Sequence, residues 1–225
     1  MDSIFNRAKW TVAPATAFGA AAAILYPGGN PLDATSERYS ITRNFLSDLG
    51  MTVAYNGQPN RLGAACFIAS LLILMAGLGT CLLAIIRLYT SEPGPRFWAR
   101  SAGLCGLLAC VAFTGVAATP ENRAMAAHVG FTVWGWRILP AIAALMAIAT
   151  MASRRLPRSV TIAWAVLAVL LTGYSALIVW SPGWSAVSAL VIAVVAQKAA
   201  TVIVVAALLY LAWAMDTIKP VLRAQ

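Results

Sequence analysis

The chain has 225 residues, of which 61% are hydrophobic and 10% charged, whereas a soluble domain carries about a quarter charged residues. Its excess apolar surface must meet something other than water, and lipid fits because apolar runs recur along the whole length. The net charge of +9 would point to nucleic acid in a soluble protein, but here the basic residues sit mainly at the ends of apolar runs, where they meet anionic headgroups and set orientation; no nucleic-acid partner is expected.

A bilayer core takes roughly 20 apolar residues in a helix, and six stretches qualify. The first spans about 10–26 and stops at Pro27, Gly28, Gly29, Asn30 and Pro31, a cluster of helix breakers. Arg7 and Lys9 before an Ala-rich run imitate a signal peptide; an uncleaved first helix is expected. An irregular loop, about 27–61, follows. Within it Ile41, Phe45 and Leu49 recur every four residues, Asn44 and Asp48 share another face, and Gly50 can end a helix. That pattern predicts a short amphipathic helix over about 40–49, lying at or dipping into the outer interface.

The second helix is predicted over about 62–89 and the third over about 97–118, ending at Thr119 and Pro120. Ala102, Gly106 and Cys110 form a small-residue stripe on the third that lets a neighbour approach. The fourth spans about 124–152 and contains Pro140, which frees the carbonyl of Trp136. His128, Thr132, Gly135 and Leu139 share one face of it, and Trp134, Arg137 and Ala141 the other. The fifth spans about 160–180, ending at Ser181, Pro182 and Gly183, and the sixth about 184–215. No loop is long enough to fold alone. The expectation is therefore all-α, a single membrane domain over 1–225 built as a bundle of six transmembrane helices. Trp10, Trp98, Trp180, Trp184 and Trp213, near helix ends, read as interface anchors.

Lys and Arg fix the expected orientation. One side receives Arg7, Lys9, Arg87, Arg96, Arg100, Arg154, Arg155, Arg158, Lys219 and Arg223; the other receives Arg38, Arg43, Arg61 and Arg123. The richer side, with both termini, should be cytoplasmic, and the expected location is the cell inner membrane.

Arg137 and Lys198 fall in mid-helix, and no Asp or Glu lies at their depth. Intramembrane cations are functional by default. They can snorkel, meet Asp48 or Glu121 if the loop folds inward, or bind an anionic headgroup. Lys198 in the last helix also suggests a retinal Schiff base, but six helices and no carboxylate counter-ion argue against it. Cys66, Cys81, Cys105 and Cys110 read as small buried hydrophobes. A chain with one His cannot supply a three-His zinc site or a two-His haem; no cofactor and no metal are expected.

Ser47, Asp48 and Gly50 after the first helix, with His128 opening the fourth, resemble an uncharacterised prokaryotic six-helix membrane family and, more distantly, the eukaryotic DRAM, Frag and Sfk group. Those families share a Ser-Asp-x-Gly motif after the first helix and a His near the start of a later one. The resemblance implies, through some eukaryotic members, a link to membrane lipids or lipid-anchor processing, and no settled enzymatic activity. Arg43 and Asn44 stand beside the motif with no role it implies.

Ser47, Asp48 and His128 are the ingredients of a nucleophile, an orienting acid and a base. Neighbouring residues on a helix project about 100° apart, so Asp48 does not easily orient His128 while Ser47 faces it. The plainer reading is a latch in which Asp48 and His128 tie the loop to the fourth helix. A polar pocket is expected at the outer leaflet, drawn from Arg43, Asn44, Ser47, Asp48, His128, Arg137 and Lys198. Three functions fit: binding or handling membrane lipid, a lipid hydrolase or transferase using Ser47, Asp48 and His128, or an accessory subunit packed against other membrane-protein subunits.

Overall fold

A bilayer core offers backbone N–H and C=O groups no water, so an apolar run that enters it satisfies them within a helix. In the computed structural model, which describes residues 2–153, 156–180 and 186–223, six helices form: α1 (Asp2–Leu25), α2 (Arg61–Leu88), α3 (Pro93–Ala118), α4 (Glu121–Ala152), α5 (Arg158–Trp180) and α6 (Val187–Arg223). Five are long and apolar enough to cross a membrane, and α1 contributes a shorter apolar stretch, Trp10–Leu25. Several ends move outward from the expected ones. Helix α3 starts at Pro93 rather than near 97, because a first-turn proline lacks only an N–H that would be unpaired anyway. The expected breakers Ser181, Pro182 and Gly183, the start at Trp184, and Arg154 and Arg155 lie outside the described residues.

Each helix packs on its neighbour in the chain, and α6 returns against α1, so the six form a closed ring. Leu78, Leu82, Leu139, Met146, Trp164 and Leu171 fill its interior. Leu104, Leu107, Val111, Val169 and Val202 are exposed on the outside, as a lipid-facing surface permits. The stripe on α3 meets α2: Gly106 lies against Leu82, and a Cβ there would overlap it, while Cys110 Sγ approaches the Met75 carbonyl at 3.8 Å. Trp10 and Trp213 are exposed, but Trp98 packs against the core.

Helix α4 departs from regularity twice. Ala124 has φ −143° and ψ 50°, a break that separates the first turn from the shaft. Further along, the Trp136 carbonyl released by Pro140 accepts a hydrogen bond from Ser175 Oγ of α5 at 2.9 Å. The indole of Trp136 is held edge-on between Phe113 and Tyr174, with ring centroids 5.8 and 4.6 Å away.

The loop between α1 and α2 folds inward over one end of the ring. The helix expected over 40–49 contracts to one 3-10 turn, Ser47–Gly50. The cause is competition from side chains. Asn44 Oδ1 accepts the Ser40 N–H at 2.9 Å. Asp48 Oδ2 accepts the Phe45 N–H at 3.0 Å and an Asn44 Nδ2 hydrogen at 2.9 Å. These bonds hold the strand of chain before Ser47 in turns. The segment is a plug rather than an interfacial raft: Ile41 is 71% exposed, but Leu49 is 2% exposed, and Ser47, Asp48 and Gly50 are buried with it. Asn60 Nδ2 fastens the plug to the start of α2 through the carbonyls of Leu49 and Met51, at 3.0 and 2.9 Å. Where the loop leaves α1, Gly29 has φ +80°, and a side chain there would collide with the backbone of Asn56.

Ser175→Ala should leave the Trp136 carbonyl unpaired and cost about 1–3 kcal/mol, read as a lower unfolding temperature in neutral detergent. The same change in a Pro140→Ala background should cost less, because residue 140 then has an N–H to give that carbonyl.

Candidate functional site

Two cavities lie beneath the plug. The first, about 300 Å³, is walled by Phe45 and Ser47 of the loop, Glu121, His128 and Thr132 of α4, Tyr174 of α5 and Gln197 of α6. The second, about 100 Å³, is lined almost wholly by apolar side chains, among them Leu71, Leu74, Phe113, Trp136, Leu139 and Val204. They share Ser47, Thr132 and Gln197. A third space of about 20 Å³ shares Leu78, Leu139, Val204 and Leu208 with the second. The interior thus tapers from a chamber under the loop, where Ser47, Glu121, His128 and Thr132 are set among apolar side chains such as Val129, Leu177 and Ile178, to an almost wholly apolar slit farther down the helices.

His128 is buried, and its Nδ1 lies 2.7 Å from the Thr119 carbonyl oxygen. A carbonyl only accepts, so Nδ1 carries the hydrogen, and in the neutral ring Nε2 keeps its lone pair. Nε2 is buried with no hydrogen-bond partner among the described residues. It faces Glu121 Oε2 at 3.9 Å, beyond hydrogen-bond reach. The other carboxylate oxygen, Oε1, accepts from Tyr55 OH at 3.3 Å. Thr132 Oγ1 is likewise buried without a partner, and the Ser47 hydroxyl makes no hydrogen bond to a described residue. Ser47 and His128 line one chamber without being bonded to each other.

Asp48 sits behind that chamber, fully buried, with Oδ2 doubly bonded and Oδ1 unpartnered. Burial pushes its carboxyl up to about 8, helped by the nearby Glu121 carboxylate and opposed by the bonds from Asn44 and Phe45 and by the Lys198 ammonium. The expected latch between Asp48 and His128 is not formed. Asp48 bonds within the loop and His128 bonds the Thr119 carbonyl. The loop is instead tied to α6, where Gln197 Oε1 accepts the Leu46 N–H at 2.7 Å and Lys198 Nζ donates to the Asn44 carbonyl. It is also tied to the first turn of α4, where Asn122 Oδ1 accepts the Thr52 N–H and Arg123 Nε donates to Thr52 Oγ1, both at 3.0 Å.

The two mid-helix cations have different fates. Lys198 turns to the loop, with its ammonium also 5.3 Å from the Tyr39 ring centroid. Arg137 is exposed on the opposite face of α4 from His128, 5.6 Å over the Trp134 ring. They do not meet, and neither lines the two cavities. Arg43 is exposed, and Asn44 is fully buried within the loop. Gln197 and Thr132, which join the two cavities, were not singled out by sequence; a neutral amide in the middle of an apolar run was the available signal for Gln197. Among the described residues no three His, Cys, Asp or Glu side chains converge to hold a metal ion.

The fold and composition define an integral membrane protein of the helical class. No protein-family model, curated protein or solved structure matches the chain.

The Asp48 carboxyl is held above its ordinary value of 3.8, at about 8, so the folded state keeps a proton that the unfolded chain releases. Its contribution to stability is fully present below about pH 4 and is lost as pH rises toward 8. Asp48→Asn should flatten that part of the profile in thermal unfolding between pH 4 and 8, while a carboxamide oxygen still accepts from Asn44 and Phe45.

Proposed function

We propose that the protein binds or handles an amphiphilic membrane lipid, taken into the ring from the loop side. The observation that carries this reading is the sharing of Ser47, Thr132 and Gln197 by a chamber that holds a cluster of polar groups and a slit that holds almost none. A molecule with a polar head and an apolar tail satisfies both at once, and a uniformly polar or apolar ligand satisfies one. The Lys and Arg distribution supports a loop side facing outward across the cell inner membrane, with both termini in the cytoplasm. The resemblance carried by Ser47, Asp48, Gly50 and His128 agrees with a lipid role.

A second reading, a lipid hydrolase or transferase, draws on one observation. His128 Nε2 is an unpaired ring nitrogen on the wall of the chamber that the Ser47 side chain also lines. In that reading the Thr119 carbonyl orients the imidazole, the part usually taken by a carboxylate, and Asp48 has no catalytic role.

Native mass spectrometry of protein released from lipid nanodiscs tests the first reading. Wild type should carry lipid, and Thr132→Trp, which fills the junction of the two cavities, should lose it without losing the fold by circular dichroism. Equal lipid on both would refute the reading. Ser47→Ala should leave binding intact in either case, and a lipid turnover that it abolishes would establish the second reading.

A further inference from the structure

We propose that the polar chamber recognises a primary ammonium group, held between Glu121 Oε2 and His128 Nε2. This rests on the amphiphile reading above and names the chemistry of the head.

The two atoms are acceptors set 3.9 Å apart, with no hydrogen bond between them. A donor atom lying about 2.8 Å from each would see them at roughly 90°, an angle that two N–H bonds of one ammonium can serve. A hydroxyl has one hydrogen and serves one of the two acceptors, and a trimethylammonium has none to give. Both acceptors are fixed in advance. The Thr119 carbonyl holds His128 with Nε2 buried and unpaired, and Tyr55 OH occupies the other carboxylate oxygen of Glu121. The Thr132 hydroxyl in the same wall is also buried without a partner among the described residues.

Charge points the same way. The cations that would recognise a phosphate or carboxylate are engaged elsewhere. Lys198 donates to the Asn44 carbonyl, Arg137 is exposed over Trp134, and Arg123 donates to Thr52. The chamber therefore presents a carboxylate, that of Glu121, that no Lys or Arg among the described residues pairs with. An anionic head would meet it with repulsion, whereas an ammonium supplies the missing charge through charge-assisted hydrogen bonds.

The full chain in neutral detergent can be tested by equilibrium binding with dodecylamine, dodecyltrimethylammonium, dodecanol, dodecyl phosphate and ethanolamine. Dodecylamine should bind about tenfold or more tightly than the trimethylammonium and the phosphate. Glu121→Gln, which retains an oxygen for Tyr55, should erase that preference while the unliganded protein keeps its helical fold by circular dichroism. Ethanolamine binding as tightly as dodecylamine, with the same dependence on Glu121, would keep the ammonium site and assign it to a water-soluble amine. Dodecyl phosphate or dodecanol matching dodecylamine, or an undiminished preference in Glu121→Gln, overturns the ammonium site and leaves the amphiphile reading standing. Binding by none of the alkyl probes overturns both.

Discussion

The side-chain amide of Asn44 makes three hydrogen bonds in a fully buried position. It accepts from the Ser40 N–H and donates to the Gly29 carbonyl and to Asp48 Oδ2. Its own main-chain carbonyl takes the Lys198 ammonium. One residue thus joins the exit of α1, the turns of the loop, the 3-10 segment and α6. The chamber depends on it, because Phe45 and Ser47, which form the roof, follow directly in the chain. Irregular backbone is tolerated beside a bilayer only where protein satisfies its polar groups, and Asn44, Gln197 and Lys198 supply that satisfaction here.

Lys198 and the Gln197 side-chain carbonyl solve the problem of polar groups in an apolar helix by bonding to loop backbone. Arg137 solves it differently, by lying along the outside of α4 against an indole, where a long side chain can reach toward an interface. The consequence for chemistry is that a strongly basic chain carries an interior chamber whose charged lining residue is an acid. Net charge described how this chain meets a membrane and gave no guide to what its interior accepts.

The helices were legible because the bilayer imposes length and apolarity directly on sequence, and the two faces of α4 separated by spacing alone: His128, Gly135 and Leu139 are buried, while Trp134 and Arg137 are exposed. Pro140 announced a free carbonyl, but its partner, Ser175, came from another helix and had no local mark. The loop misled because Ile41, Phe45 and Leu49 imitate a helical face, while the decisive bonds belong to Asn44 and Asp48, which compete with helix backbone. Arg137 and Lys198 were indistinguishable by depth. Their fates depend on how α4 and α6 are rotated and on a loop folding inward, neither of which is written in residues near them. Glu121, His128 and Ser47 were visible as polar residues at one end of the bundle, yet the free edge of the imidazole follows from a tertiary contact to Thr119.

The break at Ala124 divides α4 mechanically. Glu121, Asn122 and Arg123 are bonded to Tyr55 and Thr52 and so belong to the hydrogen-bond network of the loop. His128 stands beyond the break, on the shaft that packs against α3 and α5. The gap between Glu121 and His128 therefore spans the junction of loop and barrel rather than one face of a regular helix. The chamber wall is thus assembled from two parts of the chain that an unbroken α4 would have merged into one.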